Sequence, residues 1–198
     1  MASTLNRGGP PRVRLSRDEL LAAADRLLPD VIAPGLDVLL CGINPGLWSA
    51  ATGHHFARPG NRFWPALHLG GLTPRQLRPD EQGLLPGYGL GITNLAARAT
   101  ARADELTRAE LTAGGDILRA KVARYAPRWL AVLGVTAFRT AFGVQDAKVG
   151  PQDGTPLGPD AGATRLWILP NPSGLNAHYQ LADLAAEFAR LRAATGHA

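Results

Sequence analysis

Sulfur is nearly missing from this chain: its 198 residues include one cysteine, Cys41, and one methionine. A single cysteine excludes an internal disulfide, a cysteine zinc site and a cysteine-ligated iron–sulfur cluster. Cys41 lies inside an apolar run, where burial raises a thiol pKa and leaves it inert, so it reads as packing rather than as a nucleophile. No uninterrupted apolar stretch approaches the ~18 residues of a membrane span, and no charged-then-apolar leader opens the chain. Phosphate loops of the Gly-x-Gly-x-x-Gly or Gly-x-x-x-x-Gly-Lys kind are also missing, which argues against a small-molecule nucleotide enzyme. His54 and His55 are adjacent rather than four apart, so they cannot share a helix face as paired zinc ligands. The expectation is a cytoplasmic protein that needs neither membrane, metal nor cofactor.

What is present suits one domain. The chain is 45% hydrophobic, enough for a sizeable core at this length. Lysine and arginine number 21 against 16 acidic residues, a formal charge of +5 that favours an anionic partner without identifying it. Residues 1–14 carry Arg7, Arg12 and Arg14 among glycines and prolines and read as a flexible basic tail; residues 15–198 read as a single domain. Ser16 and Glu19 form a capping box before an amphipathic helix running to Leu28. Short apolar runs at Val38–Cys41, Leu90–Asn94, Trp129–Val135 and Leu166–Leu169 read as buried strands.

Between those strands lie helical patterns. Thr107 and Glu110 cap a helix reaching Tyr125, Asn61–Trp64 opens a short one, Thr73-Pro74 begins another, and Leu181 to Leu191 form the last. The alternation predicts a three-layer α/β/α sandwich around a mainly parallel, four-stranded sheet. Leu47–Gly60 is expected to be a long functional loop, and Gly150–Gly162 a surface loop.

Two of the strands run into Asn-Pro turns, Gly42-Ile43-Asn44-Pro45-Gly46 and Pro170-Asn171-Pro172-Ser173-Gly174-Leu175-Asn176, and a third ends at Thr93-Asn94. Asn-Pro-Gly is good turn chemistry anywhere. In a parallel sheet, however, all three amides meet at the carboxyl rim, where open α/β sheets bind ligands, and an amide group suits the edge of a nucleobase.

These residues carry a resemblance. Gly42–Gly46, Thr52-Gly53, Phe56, Asn61–Trp64, Gly91–Leu95, Ala113–Gly115 and Asn171–Leu175 occur in an order that resembles the mismatch-specific uracil-DNA and thymine-DNA glycosylases. The resemblance implies a monofunctional glycosylase that flips uracil, with thymine or adducted bases as an extension, from G·U-type mismatches in double-stranded DNA. A monomer is expected, since each recognised element has an internal role. The resemblance places Phe56 as the stacking platform, Ile43, Ser49, Asn94 and Asn171 as pocket walls, Leu175 as the wedge, Gly174 beside the widowed guanine, and Asn176 with them on the DNA. Asn171 stands where other uracil glycosylase families often carry histidine, and Ala96-Ala97 replace an acidic residue that family members often have after this segment.

Asn44 is too weak a base to do more than orient water. Activating water more strongly would take a carboxylate on the same rim. Asp104 is the candidate, free to face the site because Thr107 already caps the following helix. Arg58 is a candidate phosphate contact, with surface charge as its equal alternative, and His178 another; His68 and His197 read as structural or solvated. Two readings of other classes stay open, a mismatch-binding module that does not cut and a small-molecule nucleoside enzyme.

Overall fold

The computed structural model describes residues 14–152 and 156–196. The expected tail, apart from Arg14, and His197 lie outside the described residues. Five strands form one sheet: β1 (Val38–Gly42), β2 (Leu90–Asn94), β3 (Trp129–Leu133), β4 (Gly150–Pro151) and β5 (Arg165–Leu169). Their order is β2-β1-β3-β5-β4, and every pairing is parallel except β4 against β5. The fifth strand corrects the four expected. It comes from the stretch expected as a surface loop, and two residues, one of them a proline, carry no strand signal because they suit only a short sheet edge.

Along β1 the side chains alternate between two cores. Val38 and Leu40 join Phe63, Trp64, Leu67, Leu184, Phe188 and Leu191, while Leu39 and Cys41 join Leu118, Val122, Ala137, Phe138 and Ala141. The first group belongs to α3 (Phe63–Leu69) and α6 (Leu181–Thr195), the second to α4 (Arg108–Tyr125) and α5 (Val135–Phe142). Helices thus cover both faces, as the unbroken apolar runs of the strands require.

Two helix-start expectations hold at their caps, and a third fails. Thr107 caps α4 with a reciprocal Glu110 contact. Ser16 and Glu19 likewise box α1 (Arg17–Leu21), but that helix lasts only five residues instead of reaching Leu28. Beyond it the chain runs antiparallel beside β2, with Leu27 bridged to Arg98 and Val31 to Ile92. Covering an open sheet edge outweighed the local helical pattern. Lys121 fastens this strap: its ammonium lies 2.6 Å from Asp30 and 2.8 Å from the Thr93 hydroxyl, which in turn donates to Asp30.

Thr73 caps no helix; it is buried, its hydroxyl has no hydrogen-bond partner among the described residues, and the next helical turn is a 3-10 stretch, Pro79–Tyr88. Leu47–Gly60 is not all loop, because α2 (Leu47–Thr52) begins directly after Gly46 and is too short to show a period in sequence.

The glycine pair inside α4 has a packing cause. A Cβ on Gly114 would lie 2.2 Å from the Leu95 carbonyl oxygen, and one on Gly115 would lie 2.7 Å from that of Ala141. The helix therefore rides against the backbone that follows β2 and against α5. Gly114→Ala gains helix propensity yet should lose about 1–3 kcal/mol to overpacking. Urea unfolding with an unchanged m-value is the check.

Candidate active site

Parallel register decides where the rim is. Gly42 pairs with Asn94 and Leu133 with Leu169, so four strands finish at one level and their following turns share one end of the sheet. A cavity of about 310 Å³ opens there, lined among others by Ile43, Asn44, Ser49, Phe56, Arg58, Asn94, Asn171 and Leu175. All three amides do converge. Its volume is at the small end of ligand sites.

The floor is Gly42. A Cβ there would come within 2.5 Å of Asn94 Oδ1 and 3.1 Å of Phe56 Cζ, so only glycine lets both side chains close over the strand end. Phe56 sits at φ +53°, left-handed for a residue with a Cβ, and stacks on Phe63 with centroids 4.0 Å apart and planes 17° from parallel. One ring face is occupied, which leaves the other for a ligand. Ser49 is buried and its hydroxyl accepts from the Ala57 amide at 3.1 Å, pinning the chain beside Phe56.

Both inner amides are held by their nitrogens. Asn44 Nδ2 lies 3.1 Å from Pro45 O, 3.1 Å from Arg98 O and 2.7 Å from Thr100 Oγ1. The Thr100 proton goes to Arg102 O, so Thr100 can only accept from Asn44. Asn44 keeps its Oδ1 for whatever enters the cavity. The Arg98 side chain is braced by Asp25 and by Glu110, whose pKa falls to about 2 because Arg98 and Thr107 donate to its carboxylate.

At Asn94, Nδ2 faces His55 Nδ1 at 3.4 Å. The other ring nitrogen, Nε2, lies 3.0 Å from Pro29 O. A carbonyl only accepts, so Nε2 carries the proton and Nδ1 must accept from Asn94. His55 is only 2% exposed, its amide donates to Gln82 and its carbonyl accepts from Trp64 Nε1. In the sequence His55 stands out only as one of an adjacent pair unsuited to zinc; its partner Pro29 is 26 residues away and leaves no local signal.

Other expected residues stand differently. Asn171 lines the cavity, but its Oδ1 accepts the Ser173 amide in an Asx turn. Asp104 and Asn176 line a neighbouring groove of about 570 Å³ with His178. The expectation that Asp104 faces the Asn44 cavity is not met. Its side chain is 63% exposed and both oxygens are taken by Arg102, whose donated hydrogen bonds hold the carboxyl below its ordinary value. Gly174 lies against Gly60, where a Cβ would meet the carbonyl oxygen at 2.8 Å, and Leu175 projects at 69% exposure. Among the described residues no cluster of three or more His, Cys, Asp or Glu is placed to hold a metal, and no helix is long and apolar enough to cross a membrane.

Fold and site together define an α/β protein with a small, amide-lined cavity at the carboxyl rim of its sheet. A family model described as the Uracil DNA glycosylase superfamily matches residues 29–194, most of the chain. The chain belongs to that superfamily, whose members are DNA glycosylases, hydrolases of DNA repair.

Burial holds the His55 imidazole below its ordinary value of 6.5. In the unfolded chain the ring takes up its proton near 6.5, while the folded ring resists it, so stability is complete above that pH and falls as the pH drops below it. Wild type should therefore lose more stability between neutral and mildly acidic pH than His55→Gln, as read by urea midpoints at each pH.

Proposed function

We propose that this protein excises uracil from G·U-type mismatches in duplex DNA, hydrolysing the N-glycosidic bond to leave an abasic site. The observation that carries the reading is the fixed orientation of Asn94. With Nδ2 committed to His55 and Oδ1 over Gly42, the amide offers one acceptor beside one remaining N–H. That pair complements the N3–H and O4 of uracil, whereas cytosine presents the reverse, an N3 acceptor beside an amino donor. Thymine shares uracil's edge, so the same amide accepts it if the cavity admits the methyl group.

Duplex DNA must give up the base first. Unstacking costs a few kcal/mol and least at a mismatch, which favours G·U over paired sites. Leu175, exposed at the rim, is assigned the wedge that fills the vacated stack, with the Gly174 backbone and Asn176 beside it and Arg58 on phosphate. The open face of Phe56 receives the extruded ring, with stacking worth ~1–3 kcal/mol, and Ile43 and Asn171 complete the walls.

Asn44 acts on water through Oδ1, accepting its hydrogen bond and aiming it at the anomeric carbon. An amide takes no proton, so the N-glycosidic bond breaks ahead of water attack, leaving positive charge on the sugar and negative charge on the departing base; the water oxygen then bonds to the anomeric carbon and its proton passes through solvent to the uracil anion. Fixed donors rather than a strong acid or base then lower the barrier, which is a recipe for slow turnover. Asp104, outside the cavity and paired with Arg102, has no part in this step.

An end-labelled duplex with a single G·U pair, incubated with chelator and then alkali, tests the reading. Wild type should yield a cut strand. Asn44→Ala should lose ~100-fold, the scale on which a misplaced reactant slows a reaction, and Asp104→Ala should stay within about twofold, as an exposed substitution. A duplex that is bound yet never opened would instead make this a mismatch-binding module.

A further inference from the structure

The loop that carries Leu175 has neither helix nor strand between β5 and α6, yet its tip leucine stands out from the surface. An exposed apolar side chain on an unsupported loop gains by folding back, so something must hold the loop open. Internal bonds account for small turns only: Asn171 Oδ1 to the Ser173 amide, the Asn176 amide to Ser173 O, and Asn176 Nδ2 to Asn171 O. None of these fixes the loop to the body of the protein.

Arg62, the residue before α3, does. Its main-chain N–H donates to Pro172 O at 3.0 Å. Its guanidinium donates through Nη1 to Tyr179 O at 2.5 Å and through Nη2 to Asn176 O at 2.9 Å and to Ser173 O. One residue thus reaches four carbonyls spread from 172 to 179, and its Nε is buried with no hydrogen-bond partner among the described residues. Among the described residues no carboxylate pairs with this guanidinium, and its hydrogen-bond acceptors are all main-chain carbonyls. Gly174 also packs close to Gly60, where an added Cβ would lie 2.8 Å from the Gly60 carbonyl oxygen. A planar fork with several rigid donors can hold divergent carbonyls in a way that a single ammonium cannot.

We propose that Arg62 is a positioning residue that preforms the 172–179 loop, so that Leu175 is already aimed before DNA arrives. The role rests on the glycosylase reading for its purpose, but not for its geometry. A loop ordered in advance spares the ordering cost at the moment of binding, and that saving appears as faster or tighter engagement of the mismatch.

Two measurements test it. Amide hydrogen exchange on the DNA-free protein should show faster exchange across 173–179 in Arg62→Met, with the strands unchanged, and partial recovery in Arg62→Lys; unchanged exchange in the loop would overturn the clamp. On the G·U duplex, Arg62→Met should lower kcat/KM by about tenfold and should add little to the loss in Leu175→Ala, because the two act through one element. Losses that multiply in the double variant would overturn the link to Leu175. Should wild type cut no uracil substrate, the glycosylase reading falls, and loop exchange still decides the clamp.

Discussion

The packing of Asn94 Oδ1 into the space that a Cβ on Gly42 would fill is the constraint on which the site depends. It exists because β1 and β2 are parallel neighbours in a register that sets Gly42 opposite Asn94. With any side chain at position 42, Asn94 and Phe56 would be pushed off the strand end, and the cavity would lose its floor. His55 then locks the amide from behind, and Pro29 locks His55. The specificity assigned to the site is thus set by backbone placement as much as by side-chain identity.

Asn44 follows the same logic. Its amino group is surrounded by acceptors supplied by its own turn and by the 98–102 segment, so the side chain cannot flip without abandoning three contacts. A carboxamide is a poor catalyst free in water; held with one oxygen forward, it is a fixed dipole in a small cavity, where orientation counts for more than basicity. Arg98, through its pairs with Asp25 and Glu110, ties that dipole to the strap along β2 and to the start of α4. Mutations far from the cavity can therefore reach Asn44 through one backbone carbonyl.

The layering and the rim were legible in the sequence because both follow from local signals. Val38–Cys41 is apolar without a break, which only a strand buried on both faces needs, and each Asn-Pro turn announces a strand end. Strand neighbours then bring the three amides together without further information. What was hidden depends on partners distant in the chain. Leu27 looks helical until Arg98 pairs with it, His55 looks idle until Pro29 and Asn94 meet it, and Arg62 looks like part of a helix opening until it is seen to bond the 172–179 carbonyls. Asp104 misled for a related reason: its distance along the chain from Asn94 fits the rim, but Arg102, two residues before it, turns the carboxylate outward.

The most direct test of the account is a structure of the protein bound to a duplex in which 2′-fluorodeoxyuridine, whose glycosidic bond resists hydrolysis, is paired with guanine. The account predicts the uracil ring outside the helix, one face on Phe56, its N3–H and O4 on the Asn94 amide, a water on Asn44 Oδ1, and Leu175 in the vacated stack. A uridine that remains stacked in the duplex, or a duplex seated on another face of the protein, would contradict it.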